Sequence, residues 1–166
     1  FRDAYDAQTV GAYTYKTGLD YLQQGFTTTR SAGCNDLGIA KAVKNSLLAG
    51  PRWYPAGGFL SQTGGHADLG SWSDRPQEKD ALERAEMMYI VDGETEARRA
   101  ARSNFRRGAT HIKIMAGGGV SSEFDPLHMT QLSLEEMKAI VRVADDYGSY
   151  VIAHAYHDRS VNRAID

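Results

Sequence analysis

Apolar positions recur along this chain in one repeated rhythm: a helical stripe, a glycine, then a short extended run. Ala12, Tyr15, Leu19 and Leu22 fall at helical spacing, Gly25 stops the stripe, and Phe26-Thr27-Thr28-Thr29 reads as a strand. Ile39, Val43 and Leu47 repeat the pattern, Gly50-Pro51 ends it, and Arg52-Trp53-Tyr54-Pro55 opens a second extended run. Ala97, Ala101 and Phe105 form a third stripe, closed by Gly108 and followed by the strand His111-Ile112-Lys113-Ile114-Met115. The fourth helix is the best specified. Ser133 and Glu136 have capping-box spacing, Met137, Ile140, Val141, Ala144 and Tyr147 line one face, and Gly148 closes it ahead of Tyr150-Val151-Ile152-Ala153-His154. A further helix is expected from near Asp158.

Four helix–glycine–strand units without a hairpin signal imply parallel strands joined by helical crossovers. Two architectures satisfy this α/β pattern, an open doubly wound sheet or part of a (β/α)₈ barrel. A whole barrel takes about 250 residues, and this chain has 166, so it would supply roughly half the strands of a barrel. Residues 57–93 break the rhythm. That stretch holds Gly57-Gly58, Gly64-Gly65-His66, Trp72 and Pro76 and reads as a long active-site loop region, with a possible short helix over 78–89.

Composition narrows the function classes. Nineteen basic and twenty-one acidic side chains give a net charge of −2, which speaks against a nucleic-acid partner. No apolar run reaches the roughly 18 residues of a membrane span. A single cysteine, Cys34, excludes an internal disulfide and a zinc site built on several thiolates. The chain opens at Phe1-Arg2-Asp3 without an initiator methionine and stops inside its last expected helix, so 1–166 is read as a piece of a longer domain. No targeting signal is visible; the cytoplasm is the default compartment.

Lys113 is the oddest residue. Alternation places His111, Lys113 and Met115 on one face of their strand and Ile112 and Ile114 on the other. Both faces of a parallel strand are covered, so a buried ammonium must be paired or neutralised. Three readings stand: an ion pair with a carboxylate, a Schiff-base lysine, or a neutral amine that adds carbon dioxide and becomes an anionic group able to bridge two metal ions. His154 ends the next strand, where barrel active sites are built, and neutral imidazole is a common metal ligand. Gly117-Gly118-Gly119 reads equally as an anion nest or as a tight turn needing positive φ; it lacks P-loop spacing. His66, between glycines and Ala67-Asp68, could meet substrate, whereas Cys34 reads as an inert thiol. The arginines from Arg98 to Arg107 suit a solvated helix face.

Gly25-Phe26-Thr27-Thr28-Thr29-Arg30, Ser61-Gln62-Thr63-Gly64-Gly65-His66, His111 to Gly119 and Ala153-His154-Ala155-Tyr156 together resemble successive landmarks of metal-dependent amidohydrolases. The similarity is to the imidazolonepropionase-like branch that includes Xaa-Pro dipeptidase (prolidase)-type enzymes. The resemblance implies a (β/α)₈ barrel beside a small β-sandwich, with two divalent ions, usually zinc, at the barrel mouth. It places a carboxylated, metal-bridging lysine at Lys113 and a metal-ligating histidine at His154, both catalytic. It puts a His-x-His pair before Phe1 and a sixth-strand histidine and eighth-strand aspartate after Asp166, which makes this chain the central part of the barrel, about strands 2–5. Two departures stand out: Ser31 replaces a frequent aspartate, and Tyr156 replaces a frequent second histidine.

The implied activity is hydrolysis of a carbon–nitrogen bond in an amide or small dipeptide by metal-activated hydroxide, with Gln62, His66 and Tyr156 reading the substrate. A homo-oligomer is expected for the full-length protein. Two other classes remain open: a Schiff-base lyase using Lys113, and an inactive fragment or scaffold if these residues are the whole chain.

Overall fold

A computed structural model of the protein describes residues 6–34, 36–75 and 78–166; Phe1-Arg2-Asp3 and Pro76 lie outside the described residues. Among these, helices and strands alternate as α1 (Ala7–Gln23), β1 (Thr28–Arg30), α2 (Leu37–Lys44), β2 (Arg52–Tyr54), β3 (Phe59–Ser61), α3 (Ala81–Arg84), β4 (Met88–Ile90), α4 (Glu94–Arg106), β5 (Ile112–Met115), α5 (Leu134–Asp146), β6 (Val151–His154) and α6 (Asp158–Ile165). Every pairing between these strands is parallel, β1 with β2 and β4-β3-β5-β6 in the second sheet. β3, β5 and β6 advance across the sheet in chain order, as in a barrel wall. The expected partial α/β barrel is therefore what forms.

α4 and α5 form where their apolar stripes put them, although Val141 and Tyr147 of the α5 stripe are 42% and 54% exposed; α2 ends at Lys44, short of Leu47, which is 76% exposed. Ser133 and Glu136 make the reciprocal capping box at α5. Ala97, Ala101 and Phe105 of α4 and Met137, Ile140 and Ala144 of α5 bury one core together with Leu60, Ile112 and Ile114. The outer helices thus cover one face of β5 and leave its other face, with Lys113 and Met115, turned away from them. Exposed Arg99, Arg102 and Arg106 keep the opposite side of α4 polar, as its charges suggest.

The stretch 57–93 departs from a single long loop, because it contains β3, α3 and β4. Three-residue strands carry too little alternation to register, and Gly57-Gly58 reads as a breaker. Only Ala81–Arg84 of the expected 78–89 helix is helical: Asp80 caps it and Glu86, at φ 57°, ends it before β4. β2 and β3 pair in different sheets and are separated by an interruption at 55–58. Asp36 fills the interruption by accepting the N–H groups of Ala56 and Gly57 at 3.1 and 3.0 Å. Asn104 of α4 brackets Gly58 like a third strand, accepting its N–H at 3.1 Å and donating to its carbonyl at 2.8 Å. Gly57 is required here: its φ is 75° and a Cβ would lie 2.5 Å from Asn104 Oδ1. Asn104→Ala would strand both backbone groups in a fully buried place, and is expected to cost about 3 kcal/mol by chemical denaturation.

Cys34 follows β1 at φ 82°. Burial first, then the neighbouring Asp36 charge, pushes its thiol up to about 11. Since the thiolate is the nucleophile, the folded protein should alkylate at Cys34 about a hundredfold more slowly at pH 8 than the denatured chain, and faster as pH rises. Peptide mass spectrometry after timed iodoacetamide treatment measures this.

Candidate active site

Lys113 and His154 lie on adjacent parallel strands, with Lys113 opposite Ile152 and Met115 opposite His154. Period-2 alternation then puts both side chains on the same face of the sheet. No carboxylate pairs with Lys113 among the described residues, which removes the ion-pair reading there. Burial, then the Arg30 guanidinium, holds its ammonium below the ordinary lysine range. The shift is in the direction of the neutral amine that both carbon dioxide addition and Schiff-base chemistry need. Burial also lowers His154, helped by the neighbouring His66 and opposed by the Gly118 carbonyl. His154 Nε2 lies 3.3 Å from Gly118 O. A proton donated there leaves Nδ1 with the free lone pair, the arrangement seen for histidines that bind metals.

His66 comes from the turn after β3 and its ring lies flat on that of His154, with centroids 4.1 Å apart and planes 8° from parallel. Tyr156 meets the His154 ring edge-on at 4.9 Å and remains 68% exposed, its phenol open to a ligand. Gln62 is placed differently. Its carboxamide oxygen accepts the N–H of Leu132, a buried residue at φ 55° whose carbonyl is held by Arg163 Nη1 at 2.7 Å. Gln62 therefore fastens a loop that borders the site. His111 is wholly buried, bridged to Ser31 O at 2.9 Å and stacked on Tyr150, so it ties β5 to the turn after β1.

The glycine triplet resolves into neither of its two readings. Gly117 N–H donates to His154 O, Gly118 N–H to Met129 O, and Gly119 N–H to Asp125, which leaves no backbone donors for an anion. None of the three has a positive φ. Space demands glycine instead: a Cβ on Gly118 would sit 2.0 Å from Pro126 O, and one on Gly119 would sit 1.9 Å from His66 Cε1. Sequence reading missed Asp125 altogether. It is 1% exposed and its Oδ2 lies 2.8 Å from His66 Nδ1. The only signal was Asp125-Pro126, a turn dipeptide shortly after the glycines.

The His154 imidazole is a ligand type suited to divalent ions, and Lys113 would become one only on carboxylation. Among the described residues no group of three or more histidine, cysteine, aspartate or glutamate side chains is gathered to hold a metal alone. The pair therefore fits a centre to which this segment contributes part. A separate cleft of about 1000 Å³ lies between residues 63–86 and α4, with Asp68, Trp72 and Arg99 on its wall; Lys113 and His154 take no part in it. No helix among the described residues is long and apolar enough to cross a membrane.

Parallel strands with helical crossovers, and chemistry-bearing side chains grouped at their carboxyl ends, define a segment of a (β/α)₈ barrel. The chain belongs to the amidohydrolase family, whose model matches residues 2–166. It is 37% identical over 167 residues to the ochratoxinase of Aspergillus niger, covering 93% of this chain and 34% of that protein. A solved amidohydrolase shares 38% identity at a TM-score of 0.88, over 97% of this chain and 40% of its own. A prolidase solved with N-methylphosphonate-L-proline shares 43% identity at a TM-score of 0.81, over 87% and 36%. The chain thus spans about a third of the length of the curated relatives it matches.

Proposed function

We propose that these residues form the middle of the active site of a metal-dependent amidohydrolase that cleaves a carbon–nitrogen bond in an amide or peptide-like small molecule, a dipeptide in the first instance. The observation that carries the reading is the placement of a desolvated Lys113, with no carboxylate partner among the described residues, beside His154 on one sheet face, in a chain of this family. The names of the prolidase and ochratoxinase relatives are consistent with it.

The neutral Lys113 amine attacks carbon dioxide through its nitrogen lone pair. A nitrogen–carbon bond forms, one proton leaves, and the side chain becomes a carbamate anion with two ligating oxygens. His154 would offer Nδ1 to the same centre. Two divalent ions held there, zinc by preference, would supply Lewis acidity and make water a stronger nucleophile near neutral pH. His66 and Tyr156 flank this position and would orient the substrate through its carbonyl or carboxylate. Gln62 acts one step back, through Leu132.

The test uses the intact protein: elemental analysis, the mass or density of one carbon dioxide on Lys113, and a panel of dipeptides before and after chelation. Hydrolysis lost on chelation and restored by zinc is the expected result. Undiminished hydrolysis after complete metal removal, or borohydride trapping of substrate on Lys113, would establish the competing chemistry.

A further inference from the structure

The loop 117–132 is built around one histidine that it does not contain. His66 receives from it a hydrogen bond to its backbone, contacts to its ring and the space its ring occupies. Its N–H donates to Gln131 Oε1 at 2.8 Å, and Gln131 is itself fully buried. Its Nδ1 lies 2.8 Å from both Asp125 Oδ2 and Ser122 Oγ. Gly119 leaves the ring room where any side chain would collide with it. The ring is then pressed onto His154.

Asp125 is the expensive part of this arrangement. Its Oδ2 also accepts the Gly119 N–H at 2.9 Å, but its Oδ1 is buried with no hydrogen-bond partner. A carboxylate oxygen left dry and unpaired costs stability. A turn that needed only closing would be served at less cost by an apolar side chain, so the acceptor oxygen at this position has another use. Both groups that reach Oδ2 meet an oxygen that can only accept. The proton of the His66–Asp125 contact therefore sits on Nδ1, and Nε2 is the ring atom left for other partners.

We propose that Asp125 is a positioning residue of this active site: its carboxylate fixes Nδ1 as the protonated nitrogen of His66, holds the ring flat over His154, and so directs His66 Nε2 at the substrate. The inference rests on the reading above that His66 meets substrate. Ser122 is the weaker partner, a half-exposed neutral hydroxyl that can turn to donate or accept.

The decisive measurement is the protonation pattern of the His66 ring in the intact protein labelled with ¹⁵N-histidine, where two-bond nitrogen–proton correlations distinguish an Nδ1–H ring from an Nε2–H ring. His66→Gln assigns the signal. Wild type and Ser122→Ala should both show the proton on Nδ1. Asp125→Asn should keep it, because the Gly119 N–H draws the amide oxygen into the Oδ2 place and the amide nitrogen takes the dry position. Asp125→Ala should lose it, and KM for a cleaved amide should rise about tenfold or more while Asp125→Asn stays near wild type. A folded Asp125→Ala protein that keeps Nδ1–H overturns the proposal. So does a Ser122→Ala variant that loses it, and that variant decides the matter if alanine at 125 prevents folding. The ring signal needs no turnover, so a protein that cleaves no amide would sink the proposed function and leave this result to be read separately.

Discussion

Replacing Lys113 by alanine should leave the intact protein folded, metal-poor and inactive. Stability is spared because β5 is anchored by Ile112 and Ile114, 0% and 3% exposed against α4 and α5, while Lys113 lies on the other face. Removing a desolvated amine with no carboxylate partner also relieves a cost. Activity has no such reserve. The carbamate is the one bridging anion proposed within this segment, and losing several kcal/mol of charge stabilisation at the reacting centre corresponds to a drop of about a thousandfold or more. Lys113→Arg should fail equally, since a guanidinium stays protonated and cannot take up carbon dioxide. Metal content by elemental analysis, kcat/KM and the melting temperature separate the outcomes. Wild-type metal content and turnover in Lys113→Ala would refute the bridging role.

Much of this fold was legible in the sequence because its helices obey a single period. The stripes of α4 and α5, the capping box at Ser133 and the long apolar runs of β5 and β6 are local patterns, readable within a dozen residues. β3 and β4 were hidden because three residues cannot show alternation and because the Gly57-Gly58 interruption is completed from far away, by Asp36 and by Asn104, 46 positions on from Gly58. The site divides in the same way. Lys113 announces itself by lying out of character inside an apolar strand, and His154 by ending one. Asp125 lies 59 positions from the histidine it contacts, in what reads as an ordinary polar turn. The glycine triplet shows a further limit: a run of glycines tells that something is close, and only the packing tells that it is the His66 ring and the Pro126 carbonyl.

That close approach makes Gly119→Ala the sharpest small change available at this site. A single methyl would stand 1.9 Å from His66 Cε1 and 2.3 Å from Nδ1, so the ring must withdraw by more than 1 Å to restore ordinary contact. It cannot slide freely, because His154 closes one face and Asp125 holds Nδ1. The backbone of Gly119 has no positive φ to lose, so alanine itself is conformationally acceptable and the strain falls on the ring. If His66 orients the substrate as proposed, displacing it by that distance is expected to cost about a hundredfold in kcat/KM. The three atoms nearest the new methyl all belong to His66 rather than to Lys113 or His154, so metal content should stay near the wild-type level, in contrast to Lys113→Ala. A Gly119→Ala enzyme with full metal and undiminished kcat/KM would show that the His66 ring has no part in turnover, and with it the reason for a glycine at that position would have to be sought in the loop alone.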